Sequence, residues 1–377
     1  MKIGIITQKL FNNYGGLLQN YALQVVLKRL GCEVVTIDIA WKSKIKFRFR
    51  FINFVKIILH TIGLFRNKSV FLTDYDLQQI NKYTQYFVDK YIVSSPCLIE
   101  YNETRNYVVE NSIDTIIVGS DQVWRPSCNE IYHTFLDFAE NLDINRIAYA
   151  ASFGVDIWEF TIEQTQRCAY LAKKFHAISV REDSGVDLCK KFLGVEAVHL
   201  LDPTMLLDTK DYERLVLNEN EQLSPGTLFY YILDNNLSKK SIVDRVATLC
   251  SLIPFSNMPT SVNAKYSLDD CVYPPVTRWL RAFMDSQYVV TDSFHGVVFS
   301  IIFNKPFIAI ANQGRGLARF TSLLKLFSLE NRLIFNPEDL VSVLESTIDW
   351  PKVNKTRSEL KEKSIDFLKK NLGFRNQ

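Results

Sequence analysis

The stretch 288–303, YVVTDSFHGVVFSIIF, narrows most sharply what this chain can become. Tyr288 to Thr291 is β-branched and apolar, the composition of a strand. Asp292 or Ser293 supplies a short side-chain oxygen able to cap a helix by accepting from an orphan backbone N–H. Residues 297–303 are apolar on every side, which predicts a helix in the interior. His295 then falls in the first helical turn, at the carboxyl end of a strand, where open α/β sheets place ligands. Helix N-termini also favour anions, through their free N–H groups and the macrodipole. A histidine in that place can touch an anionic ligand and move a proton. The same residues also fit a capping turn with a hydrogen-bonded histidine.

A chain of 377 residues is too long for one ordinary core, so two domains are expected. A net charge of +3 argues against nucleic acid as a partner. The 26 Phe and 17 Tyr suit a large core and contacts to sugars. Met1-Lys2 leads straight into the strand pattern at 3–6, so no signal peptide is expected. No apolar run reaches the roughly 18 residues of a membrane-spanning helix. The seven cysteines are scattered, odd in number and without a CxxC pair, which argues for a reducing, cytoplasmic setting and against a zinc site. With no HExxH or EF-hand pattern, no metal site and no cofactor are expected.

The chain opens as a βαβ unit. Residues 2–6 read as a strand, 17–30 as a helix with Gly31 as its cap, and 33–39 as the next strand. Between them, Asn13, Gly15, Gly16 and Gln19 occupy a glycine-bearing loop and helix start that face whatever lies above the strand ends. The segment 41–68 stands apart. It carries eight cations, from Lys42 to Lys68, with no acidic residue among them. From Lys42 to Arg50 they alternate with Ser43, Ile45, Phe47 and Phe49, a period of two that gives one basic and one mostly apolar face. That pattern fits an anionic membrane surface, and equally an insertion packed on the protein with a solvated basic edge.

Residues 112–118 form the next buried strand, ending in Gly119-Ser120-Asp121-Gln122-Val123-Trp124. Asp121 can accept a proton or bind a hydroxyl, and Trp124 offers a flat face to a sugar ring; Asp121 could equally cap a turn. After further strands at 146–151 and 177–180, Arg181 stands just before a helix start, where a guanidinium can grip a carboxylate or phosphate with two parallel bonds. The competing reading is a surface ion pair with Glu182 or Asp183. Residues 208–226 are polar with few apolar anchors, which places a domain boundary there. Beyond it the α/β rhythm repeats, with strands at 227–233, 288–291 and 305–310 and a helix at 317–327 bearing Arg319. The expected layout is an N-terminal Rossmann-like domain over 1–208, a second over 209–345, and a helical tail over 346–377.

Four blocks together resemble the polysaccharide pyruvyl transferase family: Asn13-Tyr14-Gly15-Gly16-Leu17-Leu18-Gln19, Gly119-Ser120-Asp121-Gln122-Val123-Trp124, Ser179-Val180-Arg181-Glu182-Asp183-Ser184 and Thr291-Asp292-Ser293-Phe294-His295-Gly296. The resemblance implies a fold of two Rossmann-like domains facing a cleft, as in GT-B glycosyltransferases. It implies phosphoenolpyruvate as donor and a pair of saccharide hydroxyls as acceptor, lipid-linked saccharides included. The donor-site arginine and histidine of the family map to Arg181 and His295. Ser293 and Gly296 flank the histidine, and Arg315 and Arg319 follow in the next loop and helix as further cations. Asn13, Gly15, Gly16, Gln19 and Trp124 fall on the acceptor side, with Asp121 as base. A lipid-linked acceptor would place the enzyme on the inner face of a membrane through 42–68. Two other functions share this sequence pattern: a GT-B glycosyltransferase using a nucleotide sugar, and a saccharide-binding protein without catalysis.

Overall fold

The computed structural model describes residues 1–39, 74–99, 101–234, 236–260, 267–312 and 316–374. The segment 41–68 and Arg315 lie outside the described residues. Two wholly parallel sheets organise the chain. The first comprises β1 (Lys2–Ile6), β2 (Glu33–Thr36), β3 (Thr115–Val118), β4 (Asn145–Ala151), β5 (Ala177–Val180) and β6 (Val198–His199), in the order β2-β1-β3-β4-β5-β6. The second comprises β7 (Leu228–Tyr231), β8 (Pro254–Phe255), β9 (Tyr288–Thr291), β10 (Phe307–Ile310) and β11 (Leu333–Ile334), in the order β11-β10-β9-β7-β8. Parallel strands need covered faces. Accordingly the central strands β3 and β10 are buried throughout.

The helices that position the site are α1 (Tyr14–Arg29), α2 (Lys82–Tyr91), α3 (Ile162–Ala172), α4 (Asp183–Leu188), α5 (Thr209–Asn218), α6 (Leu237–Cys250), α7 (Val276–Asp285), α8 (Phe294–Ile302), α9 (Leu317–Phe327) and α10 (Trp350–Asn371). The expected helix at 17–30 starts three residues earlier, because Asn13 caps it by accepting from the Gly16 N–H. Gly31 lies one position beyond the cap Leu30, at φ +85°, the left-handed conformation that glycine adopts without penalty. Thr161 and Gln164 close a reciprocal capping box at the start of α3. α8 is buried along its whole length, as its unbroken apolar sequence requires.

In each sheet the strand order reverses at one point. In the first sheet this is between β1 and β3, and in the second between β7 and β9. Open α/β sheets form ligand crevices at the carboxyl ends of strands flanking such points. The Asp121 turn follows β3 and the His295 turn follows β9. After β11 the chain returns to the first domain. α10 packs there, with the Ser364 hydroxyl accepting from Leu201 N–H at 3.3 Å and Asn145 Nδ2 donating to Asn371 O at 3.0 Å. No helix among the described residues is long and apolar enough to cross a membrane.

Candidate active site

The two reversal points meet across the seam between the domains. Asp121 sits in the turn after β3, beyond Gly119 and Ser120, at φ +73°, a left-handed conformation that Asp tolerates better than most side chains. Its own atoms hold the turn: the carbonyl accepts from Ser152 N–H at 3.1 Å and Val123 N–H at 2.7 Å, and Oδ1 accepts from Gln122 N–H at 2.9 Å. The other oxygen, Oδ2, accepts from Asn13 Nδ2 at 3.0 Å, so the cap of α1 is tied to the end of β3.

Arg181, just after β5, is 4% exposed and surrounded by carboxylates. Its Nη1 donates to Asp202 Oδ2 at 2.8 Å and to the Ser120 hydroxyl at 3.4 Å. Its Nη2 reaches Asp121 Oδ1 at 3.4 Å, and its Nε lies 3.7 Å from Glu182. The expectation of a surface pair with Glu182 or Asp183 is corrected by this burial. Asp202 also accepts from Thr204 N–H at 3.0 Å, Thr204 Oγ1 at 2.7 Å and Ser120 Oγ at 3.0 Å. Glu182 accepts from the Ser152 hydroxyl.

From the second domain, His295 brings Nε2 to 3.6 Å from Asp202 Oδ2, at ion-pair range and slightly long for a hydrogen bond. Its ring lies hard against α1: a Cβ on Gly15 would fall 2.0 Å from His295 Nδ1. Glycine at 15 is therefore a steric requirement of this close approach. Ser293 caps α8 with its hydroxyl toward Gly296 N–H at 3.5 Å. A Cβ on Gly296 would fall 2.1 Å from Thr291 Oγ1, so that glycine serves the strand-to-helix packing. Arg319, on α9, brings Nη1 to 3.9 Å from Asp121 Oδ1. The Arg181 and Arg319 guanidiniums stand 4.3 and 5.7 Å from the Phe294 ring centroid, within cation–π range.

The electrostatics follow from burial and pairing. Burial pushes Asp202 up, but His295, Arg181 and the Thr204 bond outweigh it and hold the carboxyl well below the usual range. Asp121 likewise ends lowered: burial raises it, while Arg181, His295 and Arg319 pull it down. Glu182 ends raised, because burial dominates the pull of Arg181. For Arg181, burial lowers the value and Asp202, Asp121 and Glu182 together raise it above the ordinary. Burial and the neighbouring Arg181 pull Arg319 down to about 10, so it stays a cation at neutral pH but a less favoured one than an ordinary arginine.

The site thus joins five residues expected from the sequence, Asn13, Asp121, Arg181, His295 and Arg319, and gives Gly15 a steric part. Two acceptor-side expectations are corrected. Trp124 is fully buried, stacked on Phe135 at 4.7 Å with Nε1 donating to Thr134 O at 3.3 Å, and has no face left for a sugar. Gln19 is 1% exposed and donates to Thr7 Oγ1 and Gly16 O, bracing the loop from beneath. Gly16 contributes its N–H to the Asn13 cap at 3.1 Å. Sequence reasoning missed Asp202, Glu182, Ser120 and Phe294. Asp202 carried a faint signal, an acid directly after a strand and before Pro203. Among the described residues no group of His, Cys, Asp and Glu side chains is arranged to hold a metal ion.

A histidine and two guanidiniums at one helix N-terminus form a natural receptor for an anionic group, and the adjoining carboxylates can orient or deprotonate a hydroxyl. The fold is that of GT-B glycosyltransferases and related epimerases. The UDP-GlcNAc 2-epimerase of Neisseria meningitidis aligns over 100% of both chains at 7% identity, with a TM-score of 0.55. The S. aureus MnaA–UDP co-structure aligns over 100% of this chain and 98% of that one at 11% identity, with a TM-score of 0.54. Arabidopsis thaliana UGT89C1 complexed with UDP-L-rhamnose aligns over 97% and 98% at 9% identity, with a TM-score of 0.51. No curated protein sequence gives a match to this chain. A sequence model of the family described as polysaccharide pyruvyl transferase matches residues 13–314, a span holding every residue of the seam cluster except Arg319. The chain therefore belongs to the polysaccharide pyruvyl transferase family.

Proposed function

We propose that this transferase uses phosphoenolpyruvate to place a pyruvate ketal across two hydroxyls of a saccharide. The observation that carries the reading is the convergence of His295, Arg181 and Arg319 on one carboxylate-lined seam between the two reversal points. Phosphoenolpyruvate carries a carboxylate and a phosphate. Both are anions suited to guanidiniums and to the α8 N-terminus. Arg319, a buried cation 3.9 Å from Asp121, is the second guanidinium available to such a ligand. Arg181 meets the donor by exchanging one of its carboxylate partners for a donor oxygen.

The reaction protonates the methylene carbon of the enol phosphate, and one acceptor hydroxyl attacks the resulting cationic carbon. Phosphate leaves, and the second hydroxyl closes the ketal. Of the two hydroxyl protons, one is balanced by the new methyl group and the other leaves with phosphate. His295 is the proton donor, with its Nε2 3.6 Å from Asp202 Oδ2. Asp121, held ionised by Arg181, accepts the proton of the attacking hydroxyl. On this reading the protein works in the cytoplasm. The basic 42–68 segment brings it to saccharides carried on an anionic membrane face.

The test is to incubate the protein with phosphoenolpyruvate and saccharide diols, free or lipid-linked on anionic vesicles, in excess EDTA, and to measure phosphate. Wild type should release phosphate only with an acceptor present. His295→Ala should lose about 10²–10⁴-fold in rate while remaining folded. Nucleoside diphosphate released from a nucleotide sugar, with no phosphate from phosphoenolpyruvate, would replace this reading with glycosyl transfer. Normal turnover by a folded His295→Ala would remove His295 from the chemistry.

A further inference from the structure

Apart from the charged seam, a recess of about 240 Å³ opens where α2, the segment after α5 and the start of α7 meet. Tyr83, Tyr86, Tyr91, Glu219, Glu221 and Thr277 line it. A short chain of neighbouring residues links it to the candidate active site. The Tyr14 hydroxyl donates to Pro274 O at 2.8 Å, and the next residue, Pro275, is part of the recess wall. Tyr14 is itself followed by Gly15, which abuts His295.

We infer that this recess binds a pyranose ring of the saccharide chain, as a holding subsite distinct from the reacting hydroxyls. The inference rests on the reading that the acceptor is a saccharide. Tyr83 and Tyr86 stand three apart on one helix and therefore share a face. They keep 41% and 49% of their surface in solvent, so ring surface is left for a ligand. Their surroundings are already ordered. Glu219 accepts from Tyr86 at 3.2 Å, from Lys90 at 2.7 Å and from Tyr91, while Lys90 stands 5.2 Å from the Tyr86 ring centroid and Lys82 stands 5.0 Å from that of Tyr83. Rings fixed in advance lose little freedom when a ligand arrives.

The chemistry of the walls selects the ligand class. The C–H face of a pyranose packs on a tyrosine ring, and its hydroxyls need acceptors. A carboxylate offers about four acceptor positions, and Thr277 Oγ1 takes one of those on Glu221 at 2.6 Å. Lys90 is already paired with Glu219 at 2.7 Å and Glu221 adds a second carboxylate to the wall, so the recess favours hydroxyl donors over an anionic ligand. Because the walls come from the first domain, the connecting segment and the second domain, a bound ring touches all three.

The experiment is ligand-observed NMR on the full chain, with glucose, galactose, mannose, N-acetylglucosamine and their β-linked disaccharides as probes. At least one probe should bind wild type. Tyr83→Ala and Tyr86→Ala should each weaken it by about tenfold, Tyr86→Phe should retain most of the affinity, and His295→Ala should leave it unchanged. Circular dichroism of each variant separates lost binding from lost folding, which exposed positions seldom provoke. Failure of every probe to bind wild type overturns the inference. So does binding that is abolished by His295→Ala and indifferent to both tyrosines. Sugar binding of the expected pattern without phosphate release from phosphoenolpyruvate upholds the recess and defeats the proposed reaction instead.

Discussion

The two domains touch through two seams of opposite character. One is charged: Asp121, Arg181, Glu182 and Asp202 from the first domain against His295 and Arg319 from the second. The other is aromatic: Tyr14 from α1 enters a cluster of Tyr231, Tyr273 and Trp279, with ring centroids at 6.4, 6.1 and 5.7 Å. Buried ion pairs return little net stability, because desolvation consumes most of their attraction. Aromatic packing stabilises directly, by area removed from water and by ring geometry. The difference teaches a division of labour. On the proposed reading, the aromatic seam holds the domains in register, and the charged seam keeps the reacting groups poised at a cost in stability.

The sharpest way to break this contrast is Arg181→Ala. It strips three carboxylates of their shared cation and should destabilise the fold by about 3–5 kcal/mol while abolishing transfer. Urea unfolding and a phosphate-release assay measure the two effects. A variant as stable as wild type would show that the carboxylates are neutral or hydrated, and that the seam is not a buried ionic cluster.

Next in size is the acid limb. Asp202 and Asp121 have folded values below the ordinary carboxylate range, so they contribute stability that is present above about pH 4 and lost as pH falls through the folded values. Glu182, raised by burial, acts with the opposite sign. Asp202→Asn should cost about 1.5–3 kcal/mol at neutral pH and flatten the loss of stability below pH 4. Parallel acid-unfolding curves for variant and wild type would show that Asp202 does not carry this dependence.

Gly15→Ala sharpens the comparison at the point where the seams adjoin. The added methyl would lie 2.0 Å from His295 Nδ1, so either the ring or the domains must shift. The expected cost is about 1–3 kcal/mol, with kcat reduced more than stability alone explains. Wild-type kcat in this variant would mean that His295 works from a position other than the one packed against α1.

Much of this framework was legible in the chain. The strands at 2–6, 177–180 and 288–291 and the helix at 317–327 fall where the sequence pattern predicts, because each is an apolar run bounded by polar or glycine turns. Asp121, Arg181 and His295 were visible because each lies in the turn or helix start that follows a buried strand, a local signal. The partnership of Asp202 with Arg181, Ser120 and His295 was not. Those residues are 21, 82 and 93 positions away in sequence; the strand order of the first sheet gathers Ser120, Arg181 and Asp202, and the packing of the two sheets adds His295. Trp124 was misread for the same reason. A tryptophan near a site looks alike in sequence whether its face meets a sugar or Phe135, and tertiary burial decides.

The smallest expected effect tests the aromatic seam by one atom. Tyr14 is 1% exposed, and its hydroxyl donates to Pro274 O at 2.8 Å. Burial, with Tyr231 and Tyr273 nearby, raises its value well above that of an ordinary phenol, so it remains a neutral donor throughout the physiological range. Tyr14→Phe keeps the ring against Tyr231, Tyr273 and Trp279 and removes this one bond. A net hydrogen bond is worth about 1 kcal/mol, less than the ring packing it accompanies. The urea midpoint should therefore fall slightly, with kcat and donor KM close to wild type. A loss as large as that of Arg181→Ala would show that the polar contact, not ring packing, sets the register of the domains, and the contrast between the seams would fail.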